Sequence, residues 1–79
     1  MALSGRIEDH GGDALSMFQS ACAAYTEDHD QVSFDFIKEM LADARQINGN
    51  AQQYGATSAV QSKAILMWWD EHKPTGINL

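Results

Sequence analysis

Three short segments of the chain place two acidic residues beside a histidine, and these residue types hold metal ions or exchange protons. They are Glu8-Asp9-His10, Glu27-Asp28-His29 and Asp70-Glu71-His72, in a chain of 79 residues. Carboxylate and imidazole groups together bind Zn, Mn or Fe. One hypothesis is therefore a metal-binding protein or a small metal-dependent enzyme in which His10, His29 and His72 converge.

The positions of these triplets favour a simpler interpretation, in which they mark the ends of helices. Metal-binding helices usually carry ligands in patterns such as HExxH or ExxH, and neither pattern occurs here. Asp28 and Asp30 precede a predicted helix, where carboxylates meet the positive end of the helix dipole, and His72 lies at a predicted C-terminus. We therefore expect a protein that is not an enzyme, with no catalytic, cofactor-binding or metal-binding residues.

Composition indicates the kind of partner. Eleven acidic residues against five basic ones give a formal charge of −6, which disfavours direct binding to nucleic acid or to anionic membranes. The same charge favours a basic protein partner. The single cysteine, Cys22, lies among alanines, as expected for a buried thiol in a reducing compartment. No signal peptide or membrane-spanning run is evident, so the expected location is the cytoplasm.

Hydrophobic residues repeat at helical spacing and predict an all-α fold, a small three-helix bundle with short N- and C-terminal arms. Residues 1–79 form a single predicted domain. The helices are expected at about 13–26, 33–48 and 58–72, and the arms at 1–12 and 73–79.

Particular residues are expected to begin and end these helices. Asp13 is the predicted N-cap of the first helix, and Asp30 or Ser33 that of the second. Asn48-Gly49-Asn50 is predicted to end the second helix, because glycine and asparagine tolerate the left-handed conformation that closes a helix. Lys73-Pro74 should end the third, because the residue before a proline is pushed out of the helical region.

The third helix contains the run AILMWW and has apolar residues on all sides. With Val60 as the reference, Ala56, Ala64 and Met67 fall within about 40° and form the predicted core face. Three other residues lie about 120–180° away from Val60; they are Ile65, Leu66 and Trp69. We expect them to form an interface in a homodimer or with another partner, where aromatic residues are enriched. The alternative is that the two arms cover them, through Leu3, Ile7, Ile77 and Leu79.

An acidic stripe follows the outer side of the second helix, with Asp35, Glu39 and Asp43 at positions i, i+4 and i+8. Like charges at this spacing destabilise a helix by roughly 0.2–0.5 kcal/mol per pair. Their rise of about 6 Å resembles a line of phosphates. Asp70 and Glu71 are candidates to extend the stripe. The simplest interpretation is a solvated face of an acidic protein; the functional hypothesis is that the stripe docks on a basic, nucleic-acid-handling protein.

These features favour a small acidic, non-enzymatic interaction module. Its most concrete form is an inhibitor that occupies the basic nucleic-acid-binding surface of a target protein. Small acidic chains of this kind occur among phage-encoded inhibitors of host defence or transcription. A third hypothesis is a DNA-binding regulator, because Ala51 to Ala64 has a faint helix-turn-helix pattern around Gly55. Its recognition helix would offer only Lys63 as an early cation, which disfavours DNA binding.

Overall fold

Three α-helices make up most of the chain in the computed structural model, which describes residues 4–77 and 79. They are α1 (Ala14–Asp28), α2 (Gln31–Gly49) and α3 (Ala56–His72). Short 3-10 turns precede α1 and α3, at Ile7–Asp9, Gly11–Asp13 and Ala51–Gln53. The predicted three-helix bundle with short arms is confirmed. Helix α1 extends two residues beyond its predicted end, and α2 and α3 each begin two residues early.

Helix α2 is the centre of the bundle and packs against both of the other helices. Its strict spacing of apolar residues gives one continuous buried face. That face consists of Phe36, Ile37, Met40, Leu41, Ala44 and Ile47. The helix ends at Gly49, within the predicted stretch, but neither Gly49 nor its neighbouring asparagines has a positive φ, so the predicted left-handed closure is wrong.

Helix α3 turns the opposite side to the core from the one predicted. Its buried residues are Ser58, Ser62, Ile65 and Trp69, whereas Val60 is 63% exposed and Met67 58% exposed. The predicted core face was therefore wrong. So was the interface prediction for Ile65 and Trp69, because both are buried within the chain itself, and Leu66 is half-buried against the same core.

Packing explains this orientation of α3. Trp69 lies edge-on against Phe18, with ring centroids 5.7 Å apart, and a buried indole removes more apolar surface from water than valine or methionine would. Ser58 and Ser62 are small enough for the helix to approach its neighbours closely. The buried Ser62 hydroxyl makes no hydrogen bond in the described chain. This orientation of α3 therefore carries the energetic cost of one unpaired polar group.

Both arms contribute to the core, as the alternative sequence hypothesis proposed. Ile7, in the first 3-10 turn, is fully buried, and that turn packs against α2 and α3. Ile77 is 8% exposed in the C-terminal arm, and Leu79 is half-buried, with its carbonyl oxygen accepting a hydrogen bond from Arg45 at 3.0 Å. Leu3 lies outside the described residues.

Candidate functional site

Each of the three histidines packs against a different aromatic ring. His10 lies edge-on to Phe36 with centroids 5.9 Å apart. His29 lies 4.9 Å from the ring of Tyr25. His72 stacks on Trp68 at 4.9 Å with an interplanar angle of 16°.

The imidazole nitrogens of two histidines contact backbone carbonyls of their own segments. His10 Nε2 lies 2.5 Å from the Ser4 carbonyl oxygen, and His72 Nδ1 lies 3.1 Å from the Trp68 carbonyl oxygen. Since a carbonyl only accepts, these nitrogens are the protonated ones. Within residues 4–77 and 79, no group of three or more His, Cys, Asp and Glu side chains is placed to hold a metal ion. The hypothesis that the three histidines converge on one metal is wrong for this arrangement.

His29 has a structural position that the sequence did not suggest. It follows α1 in the left-handed region, with φ 51° and ψ 36°, and its N–H donates to the Tyr25 carbonyl at 2.8 Å. Among the described residues it is the only one other than glycine with a positive φ. The left-handed closure predicted after α2 thus occurs after α1, where it turns the chain into α2.

Replacing His29 by glycine should stabilise the protein by up to about 1 kcal/mol. Glycine adopts this conformation without a Cβ clash, although its freedom in the unfolded chain and the lost contact with Tyr25 offset part of the gain. His29→Ala is the control, since alanine keeps the strain and loses the ring. Urea unfolding monitored by circular dichroism compares the two variants; equal stabilities would contradict a conformational role.

The acidic residues at the helix starts differ in what they do. Asp30 Oδ2 accepts the backbone N–H of Ser33 at 2.9 Å, which confirms it as the N-cap of α2. This backbone hydrogen bond from Ser33 lowers the pKa of the Asp30 carboxyl. Asp13 occupies the predicted N-cap position of α1, but its side chain accepts no backbone N–H there, so only the predicted capping hydrogen bond was wrong.

The acidic stripe of α2 is used in part to hold the N-terminal arm. Asp43 is half-buried, and its Oδ2 accepts the backbone N–H of Ile7 at 2.8 Å. Gly5 is buried against Glu39 so closely that a Cβ at this position would collide with the Glu39 side chain. Asp35 is exposed and accepts from Gln31 Nε2 at 2.8 Å. The three carboxylates therefore do not form a continuous row that is free to bind a partner.

A shallow groove of about 330 Å³ lies between the arm and α2. Its lining includes Arg6 together with Glu39 and Asp43, and Arg6 also pairs with Glu8. The arm thus places a guanidinium beside the acidic stripe. No local sequence pattern indicates that the arm lies here, because Ile7 and Asp43 are 36 positions apart and meet only in the folded chain.

The remaining predicted partner-binding acids, Asp70 and Glu71, are exposed at the C-terminal end of α3.

Cys22 lies on the buried side of α1 and is 2% exposed. Burial raises the pKa of its thiol from 9.0 to about 12. A thiol with so high a pKa stays protonated near neutral pH and is a poor nucleophile.

The helix-turn-helix hypothesis requires an α-helix that continues through Ala51. Instead α2 ends at Gly49, and Ala51–Gln53 is a 3-10 turn. Gly55, the expected turn residue, is the N-cap of α3. The local structure therefore lacks the first helix of that motif.

The fold and surface define a small acidic three-helix bundle whose N-terminal arm lies against α2. No known protein family, no curated protein and no solved structure gives a significant match to this chain. Among the helices of residues 4–77, none has the length and hydropathy required to cross a bilayer.

Proposed function

We propose that the protein is a non-enzymatic interaction module whose acidic surface binds a basic protein. In its most specific form it is an inhibitor, of the kind encoded by phages, that occupies a nucleic-acid-binding surface of its target. The alternatives, a metal-binding protein and a DNA-binding regulator, have no comparable support in the arrangement of histidines or in the region around Gly55.

One observation carries this proposal: most of the acidic side chains form no ion pair. Arg6–Glu8 is the only ion pair within the described residues, so ten of the eleven acidic side chains of the sequence form none there. Uncompensated charge lowers the stability of a compact domain and raises the rate of association with an oppositely charged surface. A basic partner would relieve the repulsion.

The arm contact refines which acids would bind such a partner. Asp35 and Glu39 remain exposed on α2, and Asp70 and Glu71 are exposed on α3. Asp43 has a structural role, because its carboxylate holds the Ile7 amide. A test of binding must therefore leave Asp43 unchanged, since its replacement would disturb the arm as well as the surface charge.

Glu39 is also left unchanged, because its side chain lies against Gly5 of the arm. The test is capture of target protein from lysate by the double variant Asp35→Lys/Asp70→Lys. We expect capture to fall by about tenfold or more, because each reversal replaces an attraction by a repulsion at the interface. The matched control is Glu27→Lys/Asp28→Lys, which changes the net charge equally at exposed positions on α1. Circular dichroism of both variants verifies the fold.

Two further outcomes decide the specific form of the proposal. A captured target that releases the protein when a short DNA or RNA duplex is added supports occupation of a nucleic-acid site. Equal loss of capture in both double variants would contradict a defined acidic surface and would indicate a general charge effect. Undiminished capture by both would remove Asp35 and Asp70 from the proposal.

A further inference from the structure

The outer side of α3 carries an apolar surface that the described chain leaves uncovered. Val60 is 63% exposed and Met67 is 58% exposed. Ala56, which is exposed, and Ala64, which is half-buried, lie on the same side. All four fall within about 80° on the helical wheel. We call this surface the outer α3 face.

The N-terminal end of α3 has a partial positive charge that no side chain caps, and its C-terminal end carries negative charge that the helix dipole disfavours. The N-cap Gly55 provides no side-chain cap, and no acidic residue lies in the first turn. The first backbone bond of the helix runs from Ala59 N–H to the Gly55 carbonyl, so the N–H groups before it keep their partial positive charge. At the other end lie Asp70 and Glu71, where negative charge is disfavoured.

Antiparallel pairing of two α3 helices would bury the outer α3 face and would also bring a carboxylate close to each helix N-terminus. A two-fold axis midway between Lys63 and Ala64 places Val60 opposite Met67 of the second copy. The same axis places Glu71 opposite Ala56 of the second copy, so each carboxylate lies over an uncapped helix N-terminus. Ala64, next to the axis, is small enough for close approach. Lys63 points about 60° to the side, where its ammonium group stays in water.

We propose that the outer α3 face is a homodimer interface, formed by antiparallel packing against a second copy of this chain. A two-fold dimer requires a surface that is complementary to itself, and the spacing of Val60, Met67, Ala56 and Glu71 has that property. The inference does not rest on the proposed function; the two share only Glu71, which the binding test leaves unchanged. A single pair of helices is a small interface, so we expect a dissociation constant in the micromolar range.

Sedimentation equilibrium from low micromolar to near-millimolar concentration tests the proposal. We expect Met67→Lys to weaken dimerisation by at least about a hundredfold, because two lysines replace two buried methionines. Val32→Lys is the matched control, since Val32 is also exposed, at 68%, but belongs to a different helix, α2. A wild-type monomer throughout the range, or equal effects of the two variants, would overturn the proposal.

Orientation is tested by mixing Val60→Cys and Met67→Cys variants under an oxidant. Cys22 can remain, because it is 2% exposed. Antiparallel packing predicts a disulfide between the two variants and little within either alone, since like positions are separated by about 10 Å along the axis. Preferential linkage of Val60→Cys to itself would contradict the arrangement. Glu71→Gln should weaken the dimer by about threefold to thirtyfold; unchanged affinity would remove the charge complementarity that supports it.

Discussion

Replacing Ile65 by alanine is expected to lower the free energy of unfolding by about 2–5 kcal/mol. The side chain is fully buried on the core face of α3, so its truncation leaves a cavity that the surrounding residues fill only in part. Met67→Ala lies only two residues further along the same helix, but Met67 is 58% exposed, so this change should alter the free energy by no more than about 0.5 kcal/mol. The contrast between these two variants reports directly on which side of α3 faces the core.

Urea unfolding at a concentration where the protein is monomeric provides the measurement, so that self-association does not enter the comparison. The total stability of a domain of this size is about 4–12 kcal/mol, and Ile65→Ala could leave the chain largely unfolded. Ile65→Val is then the usable variant, with an expected cost of about 0.5–1.5 kcal/mol. If Met67→Ala destabilised the monomer as much as Ile65→Ala, the orientation of α3 would be wrong.

Stability should also fall at alkaline pH because of Cys22. Burial raises the pKa of its thiol from 9.0 to about 12. Between these values the unfolded chain has released the proton while the folded chain retains it, so the folded state binds more protons and loses stability as pH rises. The expected slope is about 1.4 kcal/mol per pH unit.

The matched variant is Cys22→Ala, which retains every other group that titrates in this range. At pH near 7 it should be less stable than the wild type, because it loses a buried side chain. At about pH 10.5 we expect this difference to shrink by about 2 kcal/mol, because only the wild type carries the thiol contribution. Parallel pH profiles for the two proteins would contradict the burial of the thiol. Slow reaction of Cys22 with an aromatic disulfide reagent at neutral pH is an independent check.

The arm contact shows why part of the candidate site was beyond prediction. Asp35, Glu39 and Asp43 were identified as a stripe because their spacing follows the helical repeat, which is a local property. Whether each carboxylate is free depends on what lies over it, and the arm that lies over this stripe is distant in sequence. Ile7 gave no periodic signal, since it is an isolated apolar residue among polar ones.

Local sequence patterns were sufficient to predict the buried face of α2 and the ends of two helices, because one physical effect dominates at each of these places. The apolar residues of α2 fall on one side, so only one face can be buried. Asp30 begins that helix because its carboxylate reaches an N–H three residues on, and Pro74 ends α3 because it excludes the helical conformation from its neighbour. These effects act within a few residues and are therefore contained in the sequence itself.

Tertiary packing determined which side of α3 is buried, because local effects favour no single side. Helix α3 is apolar all round, so its own sequence does not select the side to be buried. That choice depends on how well each side fits Phe18, α2 and the isoleucines of the two arms, and the large indole of Trp69 with the small Ser62 fits better than Val60 with Met67. By itself the sequence determined three helices and an acidic surface; the packing of distant segments determined which residues remain outside to meet a partner.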